Sequence, residues 1–147
     1  TIISKKNKIK YDLGIWCGGV TNSKLTNNII NNLGYTNNYF NGIPVNERLM
    51  IQGNNFILNN VFALGDCNCV IDKKYPKTAQ VAYQQGQYLG KQLNSKDIKS
   101  FVLSDFGQFC YIGKNQSIYQ GSYFSGGGYI INFANKLVQV YNYYKTR

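Results

Sequence analysis

The run Val61-Phe62-Ala63-Leu64-Gly65-Asp66 constrains this chain more than any other feature. Successive apolar residues make a short buried strand, and the glycine halts it. Asp66 then falls at the carboxyl end of that strand, where ligands bind in open α/β sheets. Gly65 lets backbone pass close to a ligand. A carboxylate at Asp66 accepts hydrogen bonds from sugar-type hydroxyls. Taken alone, the same residues also describe an Asp that opens a turn.

A polar loop follows, with Asp72, Lys73, Lys74 and Pro76. Thr78 then has the chemistry of a helix N-cap, and the helix is expected to run to Leu93, where Asn94-Ser95 stops it. Its first turn carries unpaired N–H groups and a partial positive charge, which favour an anion. Gln80 and Gln84 are four apart, so they share one face and present neutral donors and acceptors. Ala79, Ala82 and Gly86 leave room for a planar ring. An ordinary amphipathic helix with solvated glutamines fits the helix equally well.

Elsewhere the pattern alternates. Residues 8–20 read as a strand with Tyr11, Leu13 and Ile15 on one face and Trp16 closing it before Cys17-Gly18-Gly19. A loop with one short helix near Lys24 to Leu33 is expected next. Ile43-Pro44-Val45 and residues 48–52 read as strands, with a turn at Gly53-Asn54-Asn55. Residues 101–112 read as a strand interrupted at Gly107. Gly113-Lys114-Asn115 is a hairpin turn, and residues 116–123 form the returning strand. Gly126-Gly127-Gly128 reads as a hinge. Residues 129–147 read as an amphipathic helix, with Ile130, Phe133, Ala134, Leu137, Tyr141 and Tyr144 at helical spacing and basic Lys136, Lys145 and Arg147. That suits an interfacial helix on a membrane surface, or a core-packing helix.

Composition removes several classes. There is no His, so His-based triads and most zinc sites drop out. The four cysteines, Cys17, Cys67, Cys69 and Cys110, do not form a secreted disulfide framework and are expected to be mostly buried free thiols, with no metal site. The net charge of +10 favours anionic partners. Lys5, Lys6, Lys8 and Lys10 make one cluster and Lys73, Lys74 and Lys77 another, yet no nucleic-acid module or basic stripe is present, so no nucleic acid is expected as a partner. No apolar run is long enough to span a bilayer, and no signal peptide is visible. The chain starts at Thr1 rather than Met and reads as a processed or truncated piece.

In sequence order, Trp16-Cys17-Gly18-Gly19, then Phe62-Ala63-Leu64-Gly65-Asp66-Cys67, then Thr78-Ala79-Gln80-Val81-Ala82-Tyr83-Gln84-Gln85-Gly86 resembles the type II, or alternative, NADH:quinone oxidoreductases. These belong to the two-dinucleotide-domain FAD flavoproteins. The resemblance continues through residues 105–113 and Gly126-Gly127-Gly128, so it covers nearly the whole chain. It implies an α/β fold: the C-terminal part of a two-dinucleotide-binding-domain flavoprotein, with a C-terminal β-strand pair and amphipathic helix. Residues 1–20 would end the NADH-binding domain. Residues 21–100 would be the C-terminal part of the FAD-binding domain with the quinone-site helix. Residues 101–147 would be the strand pair and membrane-surface helix.

By the same resemblance, FAD is the cofactor and NADH the substrate of the complete enzyme. Gly65 and Asp66 would meet the ribityl chain, Ala79 and Gln80 the isoalloxazine, and Gln80 and Gln84 the quinone. Gly18 and Gly19 would pass near the flavin. The complete enzyme would move a hydride from NADH to FAD, then two electrons to a membrane quinone, without pumping protons. It would be a homodimer on the mitochondrial inner membrane or a bacterial plasma membrane. No Gly-x-Gly-x-x-Gly occurs, so the phosphate-binding turns for NADH and for the ADP half of FAD are expected upstream, and the piece is expected to be inactive alone. Cys17, and the Cys67-Asn68-Cys69 pair, depart from the family pattern. They keep open a sulfide:quinone or disulfide-type flavoprotein, as well as a non-catalytic membrane-surface module derived from one.

Overall fold

The computed structural model describes residues 2–4, 7–35, 40–95, 97 and 99–145. The chain divides into two compact units, Thr1–Phe101 and Val102–Arg147.

In the first unit, β1 (Ile2–Ser4) and β2 (Asn7–Ile9) form a small antiparallel hairpin. Helix α1 (Lys24–Asn32) follows, capped by the Ser23 hydroxyl, which accepts from the Thr26 N–H at 3.1 Å. A mixed sheet is built from β3 (Ile43–Val45), β4 (Met50–Gln52), β5 (Ile57–Phe62) and β6 (Asn68–Val70) in the order β5-β4-β3-β6. Strand β6 alone runs parallel to its neighbour, β3. A 3-10 turn over Gly65–Cys67 separates β5 from β6, and α2 (Ala79–Gln92) closes the unit. Helix α1 packs on β3, and Ile30, Val45 and Leu49 are fully buried. Each such side chain contributes about 1.5–3 kcal/mol relative to remaining exposed.

Local chemistry moved several boundaries. Residue 48 is turn and residue 49 is irregular, and the strand begins only at Met50. The Asn46 carboxamide oxygen accepts from the Arg48 and Met50 N–H groups, and Leu49 is held left-handed at φ 60°. The strand expected over residues 8–20 is confined to Asn7–Ile9, and Leu13, Ile15 and Trp16 are exposed. Alternation makes a strand only where a neighbour takes up the backbone N–H and C=O groups. Among the described residues nothing pairs with residues 10–20. The strand before Gly65 ends at Phe62 and is an edge strand antiparallel to β4, with Val61 41% exposed, rather than a buried one. Part of the expected polar loop is strand β6, whose Asn68 and Val70 are buried against β3.

The stretch after α2 is pinned by Glu47. Its carboxylate accepts from the Ser100 hydroxyl at 3.0 Å and pairs with Lys73 at 3.0 Å, while its backbone carbonyl takes the Phe101 N–H at 2.8 Å. Tyr88 donates to the Lys99 carbonyl, and Phe101, 3% exposed, sits edge-on to Tyr75 and Tyr88. Phe101 is therefore an anchor of the first unit and not the start of a strand.

The second unit holds β7 (Gln108–Gly113), β8 (Gln116–Gln120), β9 (Ser125–Gly128) and α3 (Tyr129–Lys145), with sheet order β7-β8-β9. Lys114 and Asn115, at φ 48° and 57°, make the left-handed hairpin turn that matches strand twist. The expected glycine hinge is instead strand β9, paired residue by residue with β8. Helix α3 packs on β8 and β9. Its buried side is polar: the Ser117 hydroxyl donates to the Asn132 carboxamide oxygen at 3.1 Å and accepts from the Asn135 amide at 3.3 Å. Ile130, Phe133, Leu137, Tyr141 and Tyr144 are exposed along the other side. Among the described residues no helix is long and apolar enough to cross a membrane. Lys5, Lys6, Thr146 and Arg147 lie outside the described residues.

The hydrogen bonds and charge of Lys73, with the Ser100 hydroxyl, hold the Glu47 carboxyl below its ordinary value of 4.5. A carboxyl lowered on folding contributes stability above its unfolded pKa and loses it as pH falls through the folded one. Glu47→Gln should therefore lower the melting temperature at neutral pH, by only a small amount since the pair is exposed. It should flatten the acid limb of a melting-temperature profile below pH 4.5. An unchanged acid limb would show that Glu47 does not pin the linker.

Candidate functional site

Strand β5 stops because the chain turns left-handed at Gly65, φ +74°. A side chain there would be strained, and its Cβ would lie 3.4 Å from the Ala82 Cβ of α2. This close approach seats the Gly65–Cys67 turn on α2. The turn is fixed at both ends by one side chain. The Gln85 carboxamide oxygen accepts from the Gly65 N–H at 2.7 Å and from the Asn68 amide at 3.0 Å. Asn68 also donates to the Ala63 carbonyl at 3.0 Å. From the far side, Gly42 lies so close that a Cβ on it would strike the Asn68 carbonyl oxygen at 2.5 Å. Asp66, between these fixed ends, is exposed.

Helix α2 begins where the sequence places it. The Thr78 hydroxyl accepts from the Val81 N–H at 3.4 Å, and the Thr78 carbonyl takes the Ala82 N–H at 3.0 Å. Ala79 is exposed, and Gln80 and Gln84 are half-buried. Val81 and Gln85 form the buried stripe, four apart. The helix therefore sends Val81 and Gln85 inward and leaves Ala79 at its open N-terminal end, with Gln80 and Gln84 along the flank of the buried stripe.

The turn carrying Gly65 and Asp66 thus meets the helix carrying Ala79, Gln80 and Gln84. Gly18 and Gly19 stand apart from this packing. Both are exposed; nothing lies within 4 Å of where a Gly19 Cβ would be, and a Gly18 Cβ would strike the Trp16 ring at 2.5 Å. Gln85 and Asn68 belong to this packing without being among the residues that the motif singles out. The signal for Gln85 was available: an amide at the apolar phase of the helix, where Val81 predicts a buried neighbour. Nothing in the sequence marks Asn68. The cysteines are not mostly buried. Cys17, Cys67 and Cys110 are exposed and Cys69 is half-buried. The exposed Cys67 thiol donates to the Leu64 carbonyl at 3.3 Å across its own turn.

Residues 1–86 match the family described as pyridine nucleotide-disulphide oxidoreductase. The chain belongs to that family. Within it, the chain is 32% identical over 135 residues to a probable NADH dehydrogenase of Dictyostelium discoideum, covering 88% of this chain and 28% of that protein. It is 40% identical over 86 residues to a probable mitochondrial NADH-ubiquinone oxidoreductase of Schizosaccharomyces pombe, covering 58% and 14%. It is 27% identical over 122 residues to the type II NADH:quinone oxidoreductase of Staphylococcus aureus, covering 78% and 28%. The fold matches NDH2 from Plasmodium falciparum, solved in complex with NADH, with a TM-score of 0.71 at 19% identity, over 85% of this chain and 40% of that one. The chain is thus similar to part of the type II NADH dehydrogenases, and it spans 28% of the length of the Dictyostelium relative. The expected α/β fold is the fold found, and it is shared with that structure.

Two substitutions test the local architecture of this family segment. Thr78→Ala removes the cap of α2 and should cost about 1 kcal/mol in denaturant unfolding. Gly65→Val, which forces a branched side chain into a left-handed position against Ala82, should cost about 2 kcal/mol or more. Equal, negligible effects from both would contradict the turn-on-helix packing.

Proposed function

We propose that this chain is the C-terminal portion of a FAD-dependent NADH:quinone oxidoreductase that does not pump protons. The observation that carries the proposal is the seating of the Gly65–Cys67 turn on the capped helix α2, which gathers one exposed carboxylate, a helix N-terminus and two glutamines. The residues fit FAD. Gly65 takes a left-handed φ of +74° that would strain any side chain, and Asp66 stands exposed beside it. When bound, FAD supplies the chemistry of accepting a hydride from NADH and giving two electrons to a quinone.

The chain's own residues have these tasks. Asp66 accepts hydrogen bonds from ribityl hydroxyls. Ala79, lacking any group beyond Cβ, lets the flat ring approach the start of α2. The helix N-terminus there favours negative charge near the ring by about 0.3–1 kcal/mol. Gln80 and Gln84, one turn apart, hydrogen-bond the quinone head and orient it. Gly18 and Gly19 give the backbone freedom to pass near the flavin in the complete protein. NADH and the ADP half of FAD are held by parts of the protein beyond this sequence. The complete enzyme works as a homodimer at the mitochondrial inner membrane or a bacterial plasma membrane. The mitochondrial and quinone-reducing relatives support that placement.

Membrane association rests on α3. Its polar side is turned in and its apolar side out, with exposed Lys136 beside the apolar stripe. Such a helix lies in a headgroup layer, attracted by apolar area and by anionic lipid. Sedimentation of the protein with anionic phospholipid vesicles should fall at least about tenfold for Phe133→Asp with Leu137→Asp. Retained binding would remove α3 from the membrane contact.

The decisive experiment uses the full-length polypeptide that carries this sequence. It should purify with a flavin absorbance and oxidise NADH with quinone. Gln80→Ala and Gln84→Ala should slow anaerobic quinone-dependent reoxidation by about tenfold while sparing NADH-dependent bleaching. Equal losses in both half-reactions would contradict the quinone assignment, and absence of flavin after FAD addition would end the proposal.

A further inference from the structure

Gln85 is a neutral amide, 0% exposed, in the apolar stripe of α2. Its oxygen is used twice, by the Gly65 N–H and the Asn68 amide. Its nitrogen is buried with no hydrogen-bond partner. A buried unpaired donor is destabilising, so an apolar side chain would be the simpler way to fill this position. What only the amide provides is an acceptor reaching both ends of the three-residue turn that carries Asp66.

We propose that Gln85 is the positioning residue for Asp66, setting where that carboxylate stands relative to the N-terminus of α2. It acts through the turn and touches no ligand. The left-handed φ of Gly65 gives the turn its direction, and Gln85 fixes its register on the helix. Glycine alone cannot do this, because its freedom allows other directions as readily. Asn68 extends the same clamp to the Ala63 carbonyl, so one amide ties the end of β5, the turn and the start of β6 to α2. The inference rests on the flavin reading for the purpose of this clamp, but the clamp itself is measurable without flavin.

Three variants test it. Gln85→Met keeps length and burial and removes the acceptor. Gln85→Glu keeps an acceptor in place. Asn68→Ala removes only the far end of the clamp. In the chain as it stands, Gln85→Met should speed amide exchange at Gly65 by about tenfold, the worth of a lost hydrogen bond. Labelling of the Cys67 thiol should accelerate in parallel, while exchange in the middle of α2 stays unchanged. Gln85→Glu should restore both rates toward the original, and Asn68→Ala should fall between. Unchanged Gly65 exchange and Cys67 labelling in Gln85→Met would overturn the proposal. If Gln85→Met loses its cooperative melting, Asn68→Ala decides: an intermediate Cys67 rate supports the clamp, and the original rate overturns it.

The second arm uses the full-length protein and FAD titration. Gln85→Met should weaken FAD about tenfold, and the double variant with Asp66→Ala should be no weaker than Asp66→Ala alone, because Gln85 acts through Asp66. Additive losses would overturn that coupling. If the unaltered full-length protein binds no FAD, the functional reading falls, while the exchange and labelling arm still judges the clamp.

Discussion

Between β5 at one edge of the sheet and β6 at the other the chain turns at Gly65, and the first unit depends on that turn being both permitted and fixed. Permission comes from a residue without a Cβ at φ +74°, against the methyl of Ala82. Fixation comes from hydrogen bonds, because three residues of 3-10 turn have little backbone bonding of their own. The buried Gln85 carboxamide supplies it from the helix side. Gly42 supplies a backbone contact from the sheet side, too close for any side chain. With the turn held between helix and sheet, the exposed Asp66 has a defined position although nothing encloses it.

Where the residues were legible, local chemistry decided the outcome. Thr78 starts α2 because a hydroxyl there satisfies the amide of the third helical residue, whatever packs outside. Lys114-Asn115 turns the hairpin because that geometry suits strand twist. Where reading failed, a partner elsewhere decided. Residues 10–20 alternate like a strand but have no neighbouring strand among the described residues. Gly126-Gly127-Gly128 looks like a hinge and becomes a strand, because β8 offers a ladder and glycine accepts extended backbone. Leu49 is the exception: it is drawn left-handed by the nearby Asn46 side chain, a local side-chain-to-backbone bond that strand propensity does not register. The candidate site divides the same way: Gly65, Asp66 and the glutamine helix stand out as motif, whereas Asn68 acquires meaning only from the Gln85 it meets.

Helix α3 inverts the usual arrangement of an amphipathic helix. Its apolar stripe is turned outward, and hydrogen bonds among Ser117, Asn132 and Asn135 form the seam with the sheet. Buried amides of this kind are specific rather than strong: apolar contact tolerates a rotated helix, but an unmet amide does not. The seam therefore sets the rotational phase of α3 and with it the direction in which Ile130, Phe133 and Leu137 point.

Strand β9 runs into α3 without a connecting residue, Gly128 ending one and Tyr129 beginning the other. Gly128, at φ +115°, makes the corner in a single step. A helix joined this way has no slack, so it cannot tilt while the sheet stays still. Any load taken on its outer side passes through that glycine and the Ser117 seam into the β8–β9 ladder, making the three-stranded sheet and its helix a single lever.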